Sequence, residues 1–232
     1  MDVVDAINAR FSVRAFKPDP VPLDLLKKIV GQAQRAPSWA NTQPWEFAVV
    51  AGRKLKAIQE ACVLRGSAGM RNSQSEVARP PEYPEPYMSR IKKMQVQENR
   101  GRTTEMKPED FEARFALNAR HYGAPACIYL LVGKNFLYQE KGINVWAVYD
   151  CGSAVQNIML LATNYGLGTI AQAMAVVYPD IIRKELGIPE DKLIALGIAI
   201  GYPDLNNPAN LDRRGRESLD DIAKFYGFAG KK

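Results

Sequence analysis

The sequence predicts a single α+β domain that carries an inserted lid and a C-terminal arm. Three observations predict it. Short apolar runs bounded by turn residues alternate with longer stretches of helical period. Between about residues 66 and 122 that texture gives way to prolines and charge. From about residue 202 to 232 the chain turns polar and largely aperiodic, long for a structureless loop and so expected to be functional or wrapped on another surface.

Each element can be justified in order. Apolar residues at 25, 26, 29, 30 and 33 form a helical stripe, opened by Pro22 and stopped before Pro37. "WEFAVVA" (45–51) reads as a strand and "RKLKAIQEACV" (53–63) as a helix. In the lid, "RPPEYPEPY" (79–87) is Pro-rich, and the charged run 89–120 is helical without a strong apolar stripe. "PACIYLLVG" (125–133) is a second buried strand. From 145 to 162 the chain is apolar on nearly all faces, the mark of a helix inside a core or at a subunit interface. "GTIAQAMAV" (168–176) and "IALGIAIGYP" (194–203) read as strands, separated by the helical "YPDIIRKELGIPED" (178–191). Ser218 then opens the helical "SLDDIAKFYG", with Asp221 three residues on as a capping-box signal.

Composition excludes several function classes. With 47% hydrophobic and 24% charged residues over 232 positions, the chain is globular, and nothing approaches the roughly 18 consecutive apolar residues of a membrane span. The opening "MDVVDAINARFS" has acids where a secretory leader needs positive charge, so a cytoplasmic location is expected. Cys62, Cys127 and Cys151 are odd in number, widely spaced and set in apolar surroundings, as buried free thiols are. His121 is the single histidine. A zinc site is therefore not expected, and its context "NARHYGAP" reads as a helix end where the ring faces water or a carbonyl. The net charge of +6 fits anionic ligands such as phosphates as readily as a nucleic acid. "GLGTIA" (166–171) matches the loose dinucleotide fingerprint, but it follows a helix and enters a strand, the reverse of what that motif requires.

Three constellations carry chemistry. In "ARFSVRAF", Arg10, Ser12 and Arg14 alternate with Phe11 and Val13, so an extended chain would put two guanidiniums and a hydroxyl on one face, the arginines about 13 Å apart. Such a strip suits a phosphate with a polyol tail, or is the wet face of an ordinary strand. In "APSWANTQPWEF", two prolines stiffen a non-helical path bearing Ser38, Asn41, Thr42 and Gln43, neutral groups able to read a heteroaromatic edge. Trp39 could wall a flat pocket or anchor a core; Trp45 reads as a core anchor. Arg213, Arg214 and Arg216 precede the last helix, as an anion site or as a solvated basic cluster.

Together these pieces resemble the FMN-dependent nitroreductase family. "RFSVRAF", "APSWANTQPWEFAVV", "GLGTIAQ", "YPDIIRKELGIPED", "GIAIGYPD" and an arginine just before "SLDDI" run in family order over nearly the whole chain. "YPEP" and the long lid resemble the nitrobenzoate-reductase-like branch. The resemblance implies a sandwich with a central, mainly antiparallel sheet flanked by helices, in an intertwined homodimer with two FMN molecules at its interface and the C-terminal arm wrapped on the partner. By position, it implies that Arg10, Phe11, Ser12 and Arg14 contact the ribityl-phosphate and pyrimidine side of FMN. Pro37, Ser38, Trp39 and Asn41 would reach the flavin from the other subunit. Gln172 and Ala173 would lie near N5 and O4, where some relatives carry an acidic residue followed by glycine. Arg216, or Arg214 in a competing alignment, would hold the phosphate. No side chain is a catalytic residue in this scheme, because the chemistry belongs to the cofactor; Arg14 would stabilise the reduced flavin electrostatically. Trp39, Tyr83 and Tyr87 would contact substrate.

The function expected is ping-pong oxidation of NADH or NADPH with reduction of nitroaromatics, quinones or related small aromatic acceptors. Reductive dehalogenation or dehydrogenation of a specific aromatic is the alternative, compatible with Tyr83, Tyr87 and Arg90 in the lid. A nucleic-acid-binding module built on "SRIKK", "RGR" and "RRGR" is the remote one. Its basic residues are interleaved with Glu98, Glu105, Glu109 and Asp110, so neither a nucleic-acid nor a membrane partner is expected.

Overall fold

Asp2 caps a first helix, α1 (Val3–Ala9), by accepting the Asp5 N–H at 2.9 Å. The sequence reading has no element there. The computed structural model describes residues 1–69, 74–77, 80, 82–98, 108–140, 142–211 and 213–228. In α2 (Leu23–Ala33) the predicted stripe is buried at Leu26, Ile29 and Ala33. β1 (Trp45–Ala51) leads directly into α3 (Gly52–Ser67). The charged block forms α4 (Tyr87–Glu98) and α5 (Pro108–Ala119), while its residues 99–107, with "RGR" and Glu105, lie outside the described residues. β2 (Ala126–Gly133) is followed by a short helix, α6 (Lys134–Leu137), and a small hairpin of β3 (Tyr138–Gln139) and β4 (Gly142–Ile143). Asn144 caps α7 (Val145–Asn164) by accepting the Ala147 N–H at 3.3 Å. Then come β5 (Gly168–Gln172), α8 (Pro179–Leu186), β6 (Lys192–Gly201) and α9 (Leu219–Ile222).

The strands pair antiparallel in the order β1-β2-β6-β5. Side chains of β2 alternate between two cores, as the two-residue period of a strand requires. Ile128, Leu130 and Val132 pack with α2 and α7 on one face, while Cys127, Tyr129 and Leu131 pack with α3 and α8 on the other. The central strands are therefore apolar throughout, and their short length sets them apart from helices. Glu76, in the stretch entering the lid, receives the Ile194 N–H at 2.8 Å and pairs with Arg183 at 2.8 Å and Lys134 at 3.2 Å. That carboxylate pins the beginning of the lid to β6 and α8.

Three expectations need correction and a fourth is narrowed. The strand expected over 168–176 stops at Gln172, because the backbone turns into a 3₁₀ helix, Met174–Val176. The last helix is one turn long, although Ser218 does cap it by accepting the Asp221 N–H. The expectation of a helix inside a core or at a subunit interface is narrowed: α7 buries Ala147, Cys151, Ala154, Val155, Ile158 and Ala162 but leaves Val145, Trp146, Val148 and Tyr149 exposed in this chain, so it does not lie wholly inside this chain's core. His121 does sit just past a helix end, yet faces neither water nor a carbonyl. It is 1% exposed, with Nδ1 3.2 Å from Gln59 Nε2 and Nε2 3.5 Å from the Tyr129 hydroxyl. A left-handed turn at His121 and Tyr122 (φ 52° and 56°) folds the ring inward. Burial lowers its pKa to about 4.

The three cysteines are free and buried, and burial raises each thiol to about 12. Among the described residues no helix is long and apolar enough to cross a membrane, and no cluster of His, Cys, Asp and Glu could hold a metal ion.

Candidate active site

Arg10 is the residue at which α1 ends, with extended φ/ψ, and the chain beyond it runs straight along the edge of β5. The Val13 N–H donates to the Thr169 carbonyl at 3.0 Å, and Ser12 bridges to Thr169 in parallel. Val13 is fully buried, which fixes the strip as a whole. Gly168 makes the close approach possible: a Cβ there would collide with Val13 Cγ2 and lie 3.2 Å from Pro203 Cβ. Gly168→Ala is accordingly expected to destabilise the protein by about 1–3 kcal/mol through overpacking and to displace the 10–14 strip. Thermal unfolding together with ligand titration checks both effects.

The strip and the C-terminal arm close around one cavity of about 490 Å³. Arg10, Phe11, Ser12, Arg14, Arg214 and Arg216, drawn from the two ends of the sequence, all line it, with Arg213, Asn8, Ile7 and Gln156. The expected apolar back of the strip holds for Val13 but not for Phe11, whose ring faces the cavity under the Arg213 guanidinium at 3.6 Å. Arg213 also donates to the Ala9 carbonyl at 2.9 Å, and Arg216 to those of Arg214 and Gly215 at 3.1 and 2.9 Å. Arg14 Nη1 donates to the Ser12 carbonyl at 3.2 Å. Burial, followed by the charges of Arg216 and Arg213, lowers the pKa of Arg10. So many guanidiniums around one hollow repel each other, and an anion with several acceptor oxygens relieves that repulsion. The volume lies within the roughly 300–1,000 Å³ of small-molecule sites.

Pro37, Ser38, Trp39 and Asn41 do not line this cavity. They occupy a strained turn in which Ala40, Asn41 and Gln43 all take left-handed φ (47°, 60° and 46°). The turn is held by its own polar groups: the Gln43 N–H donates to Ser38 Oγ at 3.0 Å, and Gln43 Nε2 to the Asn41 carbonyl at 3.1 Å. The Trp39 N–H donates to Asp150 Oδ2 on α7 at 3.0 Å. Trp39 itself is 62% exposed, so it is no core anchor within this chain; Trp45 is buried, as expected.

Gln172 and Ala173 lie where β5 ends, Gln172 buried and Ala173 exposed. Gln172 Nε2 lies 3.5 Å from the Asn118 carbonyl on α5, and its Oε1 is buried without a hydrogen-bond partner among the described residues. Tyr83 and Tyr87 are exposed and also stand outside the arginine cavity. Tyr87 opens α4, with the Arg90 guanidinium 5.5 Å from its ring; Arg90 in turn reaches Glu217, beside Arg216, at 3.3 Å. A larger cavity, about 660 Å³, lies between α3 and α8, but two of its charged groups, Arg65 and Asp180, neutralise each other in a bidentate pair. Chemistry rather than size selects the arginine cavity.

Sequence reasoning missed Asp150 and Asn210, whose importance lies in partners 111 and 196 residues away. A local motif carries no trace of such contacts. In the sequence Arg213 reads only as one of three arginines in an anion site or solvated cluster; its stacking on Phe11 is a contact that reading lacks.

The nitroreductase family model matches residues 7–202. A nitrobenzene nitroreductase from Ectopseudomonas oleovorans is 30% identical over 235 residues, covering 95% of each chain. A 4-nitrobenzoate reductase from Nocardioides sp. (strain LMS-CY) is also 30% identical, over 97% of this chain and 90% of its own. Among solved structures, the FMN and NADPH-dependent nitroreductase NfnB from Sphigopyxis sp. strain HMH aligns with a TM-score of 0.89 at 31% identity, covering 98% of this chain and 100% of that one. The FMN-dependent nitroreductase NfnB from Mycobacterium smegmatis, in complex with NADPH, gives 0.86 at 27% identity over 96% of each.

Proposed function

The chain belongs to the nitroreductase family, and from that premise we propose that it is an FMN-dependent oxidoreductase that uses NADH or NADPH to reduce nitroaromatics, quinones or related acceptors. One observation carries the reading: arginines from residues 10–14 and 213–216 converge on a single cavity that demands an anion. The donor set fits FMN. Arg10, Ser12, Arg214 and Arg216 would take the phosphate and ribityl hydroxyls, and Arg14 would set a positive charge on the pyrimidine side of the ring. When bound, FMN supplies the redox chemistry, accepting two electrons from the nicotinamide and passing them to the second substrate in a separate half-reaction. Gln172 and Ala173 would approach the N5 side.

Self-association completes the proposal. The open apolar face of α7 (Val145, Trp146, Val148, Tyr149) and the exposed Phe225, Tyr226 and Phe228 of the arm call for a partner surface, and a second copy supplies both. Pro37, Ser38, Trp39 and Asn41 of one protomer would then reach the flavin of the other, with Trp39, Tyr83 and Tyr87 bordering the acceptor. Residues 66–122 would act as the lid of that site. The buried free thiols agree with a reducing, cytoplasmic location. The relatives named above are nitro-group reductases, with no dehalogenase or substrate dehydrogenase among them. For nucleic acid, the arginines of "RRGR" gather with Arg10 and Arg14 around one hollow rather than in a row along a groove that could track a backbone.

Anaerobic mixing of the FMN-loaded protein with NADH or NADPH tests the proposal. The visible flavin band should bleach with at least one nicotinamide, and nitrobenzoate or a quinone should restore it. A band untouched by either donor would contradict it.

A further inference from the structure

We infer that Asn210 is a positioning residue that registers the two halves of the arginine pocket, and that it does so chiefly for the phosphate end of the cofactor. This rests on the FMN reading above. Asn210 is 4% exposed, and its amide joins segments from opposite ends of the sequence. Oδ1 accepts the Arg14 N–H at 2.7 Å. Nδ2 donates to the Ala15 carbonyl at 2.8 Å and to the Asp204 carbonyl at 2.8 Å. Three of the four hydrogen bonds open to a side-chain amide are therefore made in a buried site. A carboxylate in its place would face two carbonyl oxygens, and an apolar residue would leave the Arg14 N–H without this acceptor, while the Ala15 and Asp204 carbonyls would keep only their backbone donors, the Asp204 and Asn207 N–H groups.

Its place in the chain gives this contact its consequence. The arm is tied to the strip at its beginning, through Lys17 N–H to the Tyr202 carbonyl at 2.8 Å and Asp204 N–H to the Ala15 carbonyl at 3.0 Å. Asn210 ends a 3₁₀ turn, Pro208–Asn210, capped by Asn207. Among the described residues it is the last buried side chain before Arg213, Arg214 and Arg216. The 10–14 strip has a second, independent hold, since the Val13 N–H bonds to β5 and the Val13 side chain is enclosed. Loss of the Asn210 amide should thus free the arm more than the strip. The arm's guanidiniums would lose their aim on the phosphate, while groups facing the ring stay anchored.

Riboflavin, which lacks the phosphate, provides the test. Dissociation constants for FMN and riboflavin are measured by flavin fluorescence on the wild type and on Asn210→Ala. Asn210→Ser, neutral and smaller in its effect, is made in parallel and decides by the same comparison if the alanine variant is insoluble. FMN binding should weaken about tenfold or more and riboflavin binding less than about threefold, as expected for a buried amide whose partners are lost. Equal losses for the two flavins would mean a merely structural amide and overturn the inference, as would unchanged FMN affinity. A wild type that binds neither flavin would overturn the FMN reading itself, a result distinguishable from both.

Discussion

Arg10→Ala combined with Arg216→Ala should weaken FMN binding on the order of a thousandfold, because each charge-assisted hydrogen bond to phosphate contributes about 1.5–3 kcal/mol. The same double variant should be no less stable than the wild type when free of cofactor. Burial and the neighbouring Arg216 and Arg213 hold the pKa of Arg10 below its ordinary value, so the charged form is disfavoured by folding. That cost is present at every pH below the depressed pKa, hence at neutrality, and it disappears with the charge. Thermal melts with and without FMN separate the two effects, since ligand stabilisation follows the ratio of concentration to Kd. A variant that loses stability without ligand but keeps its FMN affinity would show that the arginines serve the fold rather than the anion.

Acidification from pH 6.5 to about 4 should remove roughly 3 kcal/mol of stability through His121 alone. Burial depresses its folded pKa to about 4, against about 6.5 in the unfolded chain. Between those values the unfolded state binds the proton and the folded state does not, so stability rises with pH across the window and falls as pH drops. Above 6.5 the ring is neutral in both states and the slope vanishes. Glu76 and Asp180 also have lowered pKa values, and their contributions are lost only as pH falls below the ordinary carboxylate range. For Glu76, burial pulls upward but is outweighed by the Ile194 N–H, Lys134 and Arg183; for Asp180, Arg65 is the main cause. His121 is the only histidine, so urea unfolding at several pH values isolates it. His121→Gln, which can keep a bond to Gln59 or Tyr129, should flatten the slope between pH 6.5 and 4. An unchanged slope would mean that the ring is not enclosed.

The contrast between His121 and Val13 shows what was legible in the sequence. β1, β2 and β6 are legible because apolar runs of strand length are bounded by turn residues, and α2 because its stripe has helical period. The arginines of the cavity are legible as two compact patterns, at 10–14 and 213–216, although their meeting depends on the fold. His121 was not, because a left-handed turn at two non-glycine residues sends its ring inward, and no local pattern announces such a turn. The shortening of β5 has the same character: "GTIAQAMAV" keeps strand-like composition after the backbone has turned at Ala173. Asp150 beneath Trp39 and Asn210 beneath Arg14 are single polar residues whose partners are remote in the chain. The sequence shows which residues are polar, and only the packing shows which polar groups hold the site together.

The most direct measurement is an equilibrium titration of the cofactor-free protein with FMN and, separately, with riboflavin, followed in the visible band. The account predicts one FMN per chain, bound far more tightly than riboflavin, displaced by inorganic phosphate and weakened by added salt. Riboflavin binding as tight as FMN, or no binding of either, would contradict the claim that the arginine cavity exists to hold the phosphate of a flavin.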